Sequence, residues 1–144
     1  MGSRLLRHWL HHPLRDRVAV AERHDAVAAF LATPSSAETL AAALRQVADV
    51  ERITARIALK SARPRDLSSL RDSLDRLPAI AQGLPPESPL LARLSTDLSR
   101  PPPCLDELRR ALREEPAAVL REGGVIADGY SAELDELRGL QTNA

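Results

Sequence analysis

Aromatic side chains are almost missing: Trp9, Phe30 and Tyr130 make up the 2% of a 144-residue chain. Valine and isoleucine are few beside leucine and alanine, whereas strands favour the opposite mixture, so an extensive β-sheet is excluded and a mainly α fold is expected. A single cysteine, Cys104, rules out an internal disulfide and a thiolate zinc cluster. Net charge is absent too, with Lys+Arg 20 against Asp+Glu 20. No global positive field therefore exists to hold a phosphate backbone, which disfavours a free-standing nucleic-acid binder. No apolar run approaches the length that spans a bilayer, and the first residues carry His and Arg with no apolar stretch of signal-peptide type after them. Together with the lone thiol, this sets the expectation of a cytoplasmic protein with no membrane partner.

What is present is 44% hydrophobic and 28% charged residues in 15.7 kDa, enough for one folded domain with a modest core. Helical periodicity organises most of it. Ser3 is expected to cap a helix over residues 4–12, with Leu5, Leu6, Trp9 and Leu10 as its buried stripe and Pro13 as its end. Asp16 is the expected N-cap of a second helix to about Thr33 that buries Val20, Val27, Phe30 and Leu31. Leu40, Leu44, Val47, Val50, Ile53 and Ile57 step by fours and threes, which predicts one long third helix. Ser61 to Pro64 breaks the run. Leu67, Leu70, Leu74 and Leu77 restart it, with Arg71, Asp72, Asp75 and Arg76 on the outer face, until Gly83-Leu84-Pro85-Pro86. Leu91, Leu94 and Leu98 predict a shorter helix, and Leu105, Leu108 and Leu112 another. Pro101-Pro102-Pro103 between them excludes a continuous coiled coil.

The pattern changes over residues 117–130. Val119-Leu120 and Val125-Ile126 around Gly123-Gly124 predict one short β-hairpin near 119–126, with the glycines at positive φ. A last amphipathic helix is expected from Ser131, with Leu134, Leu137 and Leu140 on one face.

Motifs that carry chemistry are tested one by one. His8 and His12 have the i, i+4 spacing of two metal ligands, with His11 beside them, yet no Glu completes the pattern and Arg4, Arg7, Arg15 and Arg17 surround them; exposed or half-buried histidines are the better reading. Lys60-Ser61, the sole lysine and its neighbour, follows Ile57-Ala58-Leu59 rather than a glycine-rich turn, so no P-loop is encoded. Cys104 stands at a helix start without a neighbouring His, and is expected as a partly buried structural thiol. Arg56, Lys60, Arg63 and Arg65 offer phosphate contacts, but without interleaved aromatics a solvated or interdomain face is favoured. Charge is unevenly placed: residues 1–100 carry 15 basic and 11 acidic side chains, and residues 101–144 carry 5 and 9. No catalytic, cofactor-binding or metal-binding residue is expected.

Longer strings add a resemblance. The opening Met1-Gly-Ser-Arg-Leu-Leu-Arg-His-Trp-Leu-His-His-Pro-Leu-Arg-Asp16, then Arg23-His-Asp-Ala-Val27, resembles the start of the core domain of bacterial MutS, the DNA mismatch-recognition ATPase. Asp49-Val-Glu-Arg-Ile53, Ala55-Arg-Ile-Ala-Leu59 and Ser61-Ala-Arg-Pro-Arg-Asp-Leu67 are similar to its next signature. Arg121-Glu-Gly-Gly-Val-Ile-Ala-Asp-Gly-Tyr130 with Glu133-Leu-Asp-Glu-Leu-Arg138 is similar to its hairpin and the start of its lever helix; residues 79–116 match loosely. The blocks come in the family's order. The resemblance implies a single helical core or lever domain over 1–144, truncated at both ends, with a hairpin insert at 117–130. It also implies a parent that binds mismatched DNA, uses ATP and Mg, acts in DNA repair near the nucleoid, forms a homodimer and meets MutL. The clamp, connector and ATPase domains would be the immediate partners, and this segment a non-catalytic relay with no cofactor of its own. The alternative from another class is a stand-alone helical protein-interaction module.

Overall fold

The computed structural model describes residues 2–142. Among them are eight α-helices: α1 Ser3–His11, α2 Arg17–Ala32, α3 Pro34–Leu44, α4 Val50–Ala58, α5 Pro64–Gln82, α6 Pro89–Leu98, α7 Cys104–Ala111 and α8 Ala132–Thr142. A 3₁₀ turn covers Leu120–Glu122, and no strand forms among the described residues. The chain is mainly α, as its Leu and Ala content dictates. No single helix among the described residues is long and apolar enough to cross a membrane, and α2 and α3, which reach that size together, are bent by 104°.

The fold divides into two compact units, Met1–Asp49 with Asp75–Pro101, and Val50–Leu74 with Pro102–Ala144. In the first, α2 packs against α3 and α6. Its buried apolar residues are Ala26, Ile80, Ala81 and Leu91. Asp16 caps α2 as the sequence predicts, accepting from the Val18 amide at 2.9 Å. Buried Ser88 caps α6 by accepting from the Leu91 amide. The guanidinium of Arg93 grips the Glu22 carboxylate through two bonds of 3.1 and 2.6 Å, tying α6 to α2. In the second unit, Ile53, Leu70, Leu74, Leu105, Leu112 and Val125 are buried.

Several expectations are corrected. Ser3 is the first helical residue of α1; the cap position belongs to Gly2 at φ 84°, with no side-chain cap. The long third helix is two, α3 and α4. Its last turn tightens into i→i+3 bonds at Gln46 and Val47, and the Arg76 guanidinium takes the Gln46 carbonyl at 3.0 Å. The apolar spacing stays in frame across the break, so periodicity alone could not reveal it. The α1 stripe is exposed rather than buried, with Leu5 at 53%, Leu6 at 57% and Leu10 at 74%, while Trp9 lies 3.8 Å beneath the Arg23 guanidinium. Val27 and Leu31 on α2 are exposed as well, and the buried residue of that helix is Ala26. On α8, Leu137 and Leu140 face solvent.

The β-hairpin does not form. Val125 and Ile126 pair instead with the segment leaving α7: Leu112 and Ile126 make an isolated antiparallel bridge, Arg113 N–H donates to Val125 O at 3.0 Å, and Ala127 N–H to Ala111 O at 2.9 Å. Val119-Leu120 turns into the 3₁₀ segment because Glu122 and Gly123 donate back to Val119 and Leu120. The glycines do hold positive φ. Gly123, at φ 69° and ψ −166°, occupies a region open essentially to glycine alone.

At the end of α4, Lys60 takes φ 53°. Its amide donates to Ile57 O and the Ser61 amide to Arg56 O at 2.9 Å, which closes the helix in a Schellman motif with lysine where glycine is usual.

Two substitutions test these backbone positions in opposite directions. A Cβ at Gly123 meets no atom within 4 Å, so the penalty of Gly123→Val is conformational, about 1–3 kcal/mol, and the melting temperature falls. Lys60→Gly removes the left-handed penalty on a side chain and raises stability by about 0.5–1 kcal/mol after the greater freedom of the unfolded glycine is subtracted. Thermal melts followed by circular dichroism read both.

Candidate functional site

The second unit is held by a chain of arginines that reach backbone carbonyls and carboxylates. The first lies where α4 turns into α5. Pro64 starts α5 with φ already fixed, and Asp66 folds back so that one carboxylate oxygen accepts from the Arg63 amide at 3.0 Å. Its other oxygen accepts from Arg56 on α4 at 2.7 Å. The amide bond chiefly, and the Arg56 charge after it, hold the Asp66 carboxyl below its ordinary value of 3.8 against the opposing effect of burial.

Arg71, on α5, is the second. It is only 9% exposed, not on the outer face that its i, i+4 charge spacing suggested. Its Nη1 donates to Arg113 O at 2.9 Å, its Nη2 to Glu114 O at 2.8 Å and its Nε to Asp72 at 2.9 Å. A buried guanidinium needs such partners, and here they are the carbonyls of the chain just after α7. An open cleft of about 550 Å³ beside them is lined by Arg65, Ser68, Ser69, Asp72, Glu114 and Glu122.

The root of α8 is the third. Arg138 donates to Ile126 O at 2.9 Å, to Asp128 at 2.9 Å and to Asp135 at 3.2 Å. Arg113 reaches the same Asp128 oxygen at 2.7 Å. Asp135 also accepts from the Gly129 amide at 2.7 Å, and Ser131 Oγ from the Leu134 amide at 3.3 Å, so the first turn of α8 is capped from both sides. Tyr130 donates its hydroxyl to Glu107 on α7, which also holds Arg110. The Tyr130 bond and then the Arg110 bond lower the Glu107 carboxyl, and the same carboxylate raises the Tyr130 phenol.

The residues singled out in the sequence do not converge. His8 and His12 stack with ring centroids 4.4 Å apart, and His12 Nδ1 donates to the His8 carbonyl. Among the described residues no three His, Cys, Asp or Glu stand together as metal ligands. Cys104 is exposed, not partly buried, because Leu105 beside it takes the inward position at 1% exposure. Lys60-Ser61 ends a helix, where the dipole is negative, so these residues do not fit the phosphates of ATP. Arg56 of the basic group is occupied by Asp66. Of the arginines that matter, Arg138 was not singled out in the sequence, although its i, i+3 spacing from Asp135 was a local signal that could have found it; Arg71 was misplaced because its acceptors lie 42 and 43 residues away.

The Asp66 corner predicts a pH signature. A carboxyl lowered in the folded state stabilises fully above its unfolded value and loses that contribution as pH falls through the folded value. Asp66→Asn is expected to cost about 1 kcal/mol at neutral pH, and the gap between the variant and wild-type melting temperatures closes as pH drops below about 4. A constant gap across the acid range would reject the ionised corner.

The MutS domain III family model matches residues 1–143. The match spans the α1 stripe, the Asp66 corner, the Arg71 clamp and the α8 root alike, so the chain belongs to the MutS domain III family, a non-catalytic part of the MutS protein of DNA mismatch repair.

Proposed function

We propose that this domain is the connector through which ATP-driven movement elsewhere in the parent protein reaches its DNA clamp. The observation that carries the reading is the set of uncovered apolar faces: Leu5, Leu6 and Leu10 on α1, Val27 and Leu31 on α2, Leu137 and Leu140 on α8. Several helices that each leave a leucine face in water are what a domain lodged among other domains presents, because such faces are stable only when covered. Close-packed helices transmit displacement since their cores resist compression. In this reading the parent's other domains, the clamp, the ATPase and the separate domain that also bears the name connector, cover those faces. Mismatched DNA, ATP with Mg, a second copy of the parent and MutL are met through the parent, a DNA-dependent ATPase of the cytoplasm and nucleoid. Catalysis belongs to the ATPase domain and none to the residues described here.

The test breaks α8 inside the intact parent. Leu134 sits in the first turn, where its amide serves only the Ser131 cap, so proline there would remove little. Leu137, at 58% exposure and further along, is the informative position. Leu137→Pro clashes with the preceding turn, removes an intrahelical bond and kinks the helix at a cost of about 3 kcal/mol. The variant is expected to bind ATP and mismatched DNA as wild type does, while nucleotide no longer changes the DNA dissociation rate; Leu137→Met keeps that coupling. Undiminished ATP-dependent release from a folded proline variant would reject the connector role.

A further inference from the structure

We infer that Arg138 is a latch that aims α8, and that Gly129 is the pivot about which α8 swings when the latch opens. The inference deepens the connector reading and rests on it for its purpose, though not for its test. Four observations converge. Beyond its first turns α8 is poorly covered, with Leu137 and Leu140 at 58% and 64% exposure, so apolar burial does little to fix its direction. Its root is held instead by Arg138, which joins the helix to Ile126 O and Asp128 in the segment ahead of it. That segment is anchored in turn, because Ile126 bridges to buried Leu112 and Arg113 shares Asp128. Between anchor and helix stands Gly129 at φ 82°, where an added Cβ would meet nothing within 4 Å. A glycine of that kind, with its amide held by Asp135 and no side chain to clash, can absorb a change in backbone angles.

The latch can open without melting the helix. Ser131 Oγ caps α8 from within its own first turn and travels with it, while the Asp135 bond to the Gly129 amide spans the pivot and is loosened by a swing. The bonds from Arg138 to Ile126 O and Asp128 cross the pivot from the body of the helix, beside the shorter-range Tyr130 bonds to Glu107 on α7 and to Ala127 O. Asp128 is 72% exposed, so its share is open to screening by salt.

Double electron–electron resonance on the 144-residue chain reads the angle directly, with one nitroxide on the native, exposed Cys104 of α7 and a second on Gln141→Cys near the end of α8. Gln141 lies about 14 Å along the helix from its root, so a swing of about 30° moves the label by about 7 Å. Wild type at low salt is expected to give one narrow distance distribution. Arg138→Met broadens it or adds a second population displaced by several Å, with helicity by circular dichroism unchanged. Arg138→Lys gives an intermediate width, since one ammonium cannot span the same fork of acceptors. Asp128→Asn leaves α8 untouched and broadens the distribution less than Arg138→Met, as does 1 M salt on wild type. A narrow distribution in a folded Arg138→Met chain overturns the latch, and so does loss of α8 helicity in that variant, which would make Arg138 a helix stabiliser. No nucleotide or DNA enters this experiment, so its failure leaves the connector test in the parent standing, and failure of that test leaves the latch standing.

Discussion

The buried guanidinium of Arg71 is the interaction on which the second unit depends. A cation taken out of water is costly unless its donors are satisfied, and two of those donors can be satisfied only where the carbonyls of Arg113 and Glu114 converge. That requirement fixes the path of the chain as it leaves α7. Once residues 113 and 114 are placed, the Arg113 amide and Leu112 are in register to pair with Val125 and Ile126, and Ile126 then offers its carbonyl to Arg138. The direction of α8 is thus set through a relay of backbone bonds that begins at one side chain on α5.

This explains a feature of composition that has no meaning in the sequence alone, the near absence of lysine. Arg71, Arg113 and Arg138 each serve backbone carbonyls or a shared carboxylate, and Arg93 grips both oxygens of Glu22. A planar fork of donors can hold several acceptors at fixed angles, whereas an ammonium on a flexible stem cannot. A core short of aromatics has few large anchors, and in this chain the arginine forks supply much of the directional specificity.

Local signals carried the helical part of this fold into the sequence. Asp16 and the leucine spacings of α5 and α6 act within a turn or two, and the structure keeps these elements; α7 forms too but ends at Ala111, so Leu112, expected as its third leucine, lies extended beyond the helix and bridges to Ile126. What could not be read were the places where a distant group decides. The α3–α4 break involves the Arg76 bond to Gln46 O, 30 residues away, and Val125-Ile126 found a partner after α7 rather than six residues upstream. The leucine stripe of α1 was read as buried because periodicity reports that a face is apolar, not what covers it, and the one-sided leucines of α8 are left open in the same way. For the site the same limit applies. Arg138 with Asp135 is a local i, i+3 pair that spacing could have flagged but did not single out, while Arg71 looked like an ordinary surface charge until its acceptors were in place.

The contrast between apolar faces left open and a root held by ion pairs bears on how the domain works. Apolar burial is non-directional and changes slowly with angle, so by itself it discriminates poorly between two nearby orientations of a helix. Ion pairs at an exposed root are directional and individually weak, about 0–1 kcal/mol each. A few of them define an orientation, yet their total lies in the range of the 1–3 kcal/mol that one binding event transmits to another site. An element aimed this way keeps a definite resting position and still yields to a ligand bound elsewhere, provided the helix itself is stiff and its caps move with it. The Ser131 cap meets that condition, since its bond to the Leu134 amide lies wholly within the first turn of α8, apart from Arg138's bonds to Ile126 and Asp128.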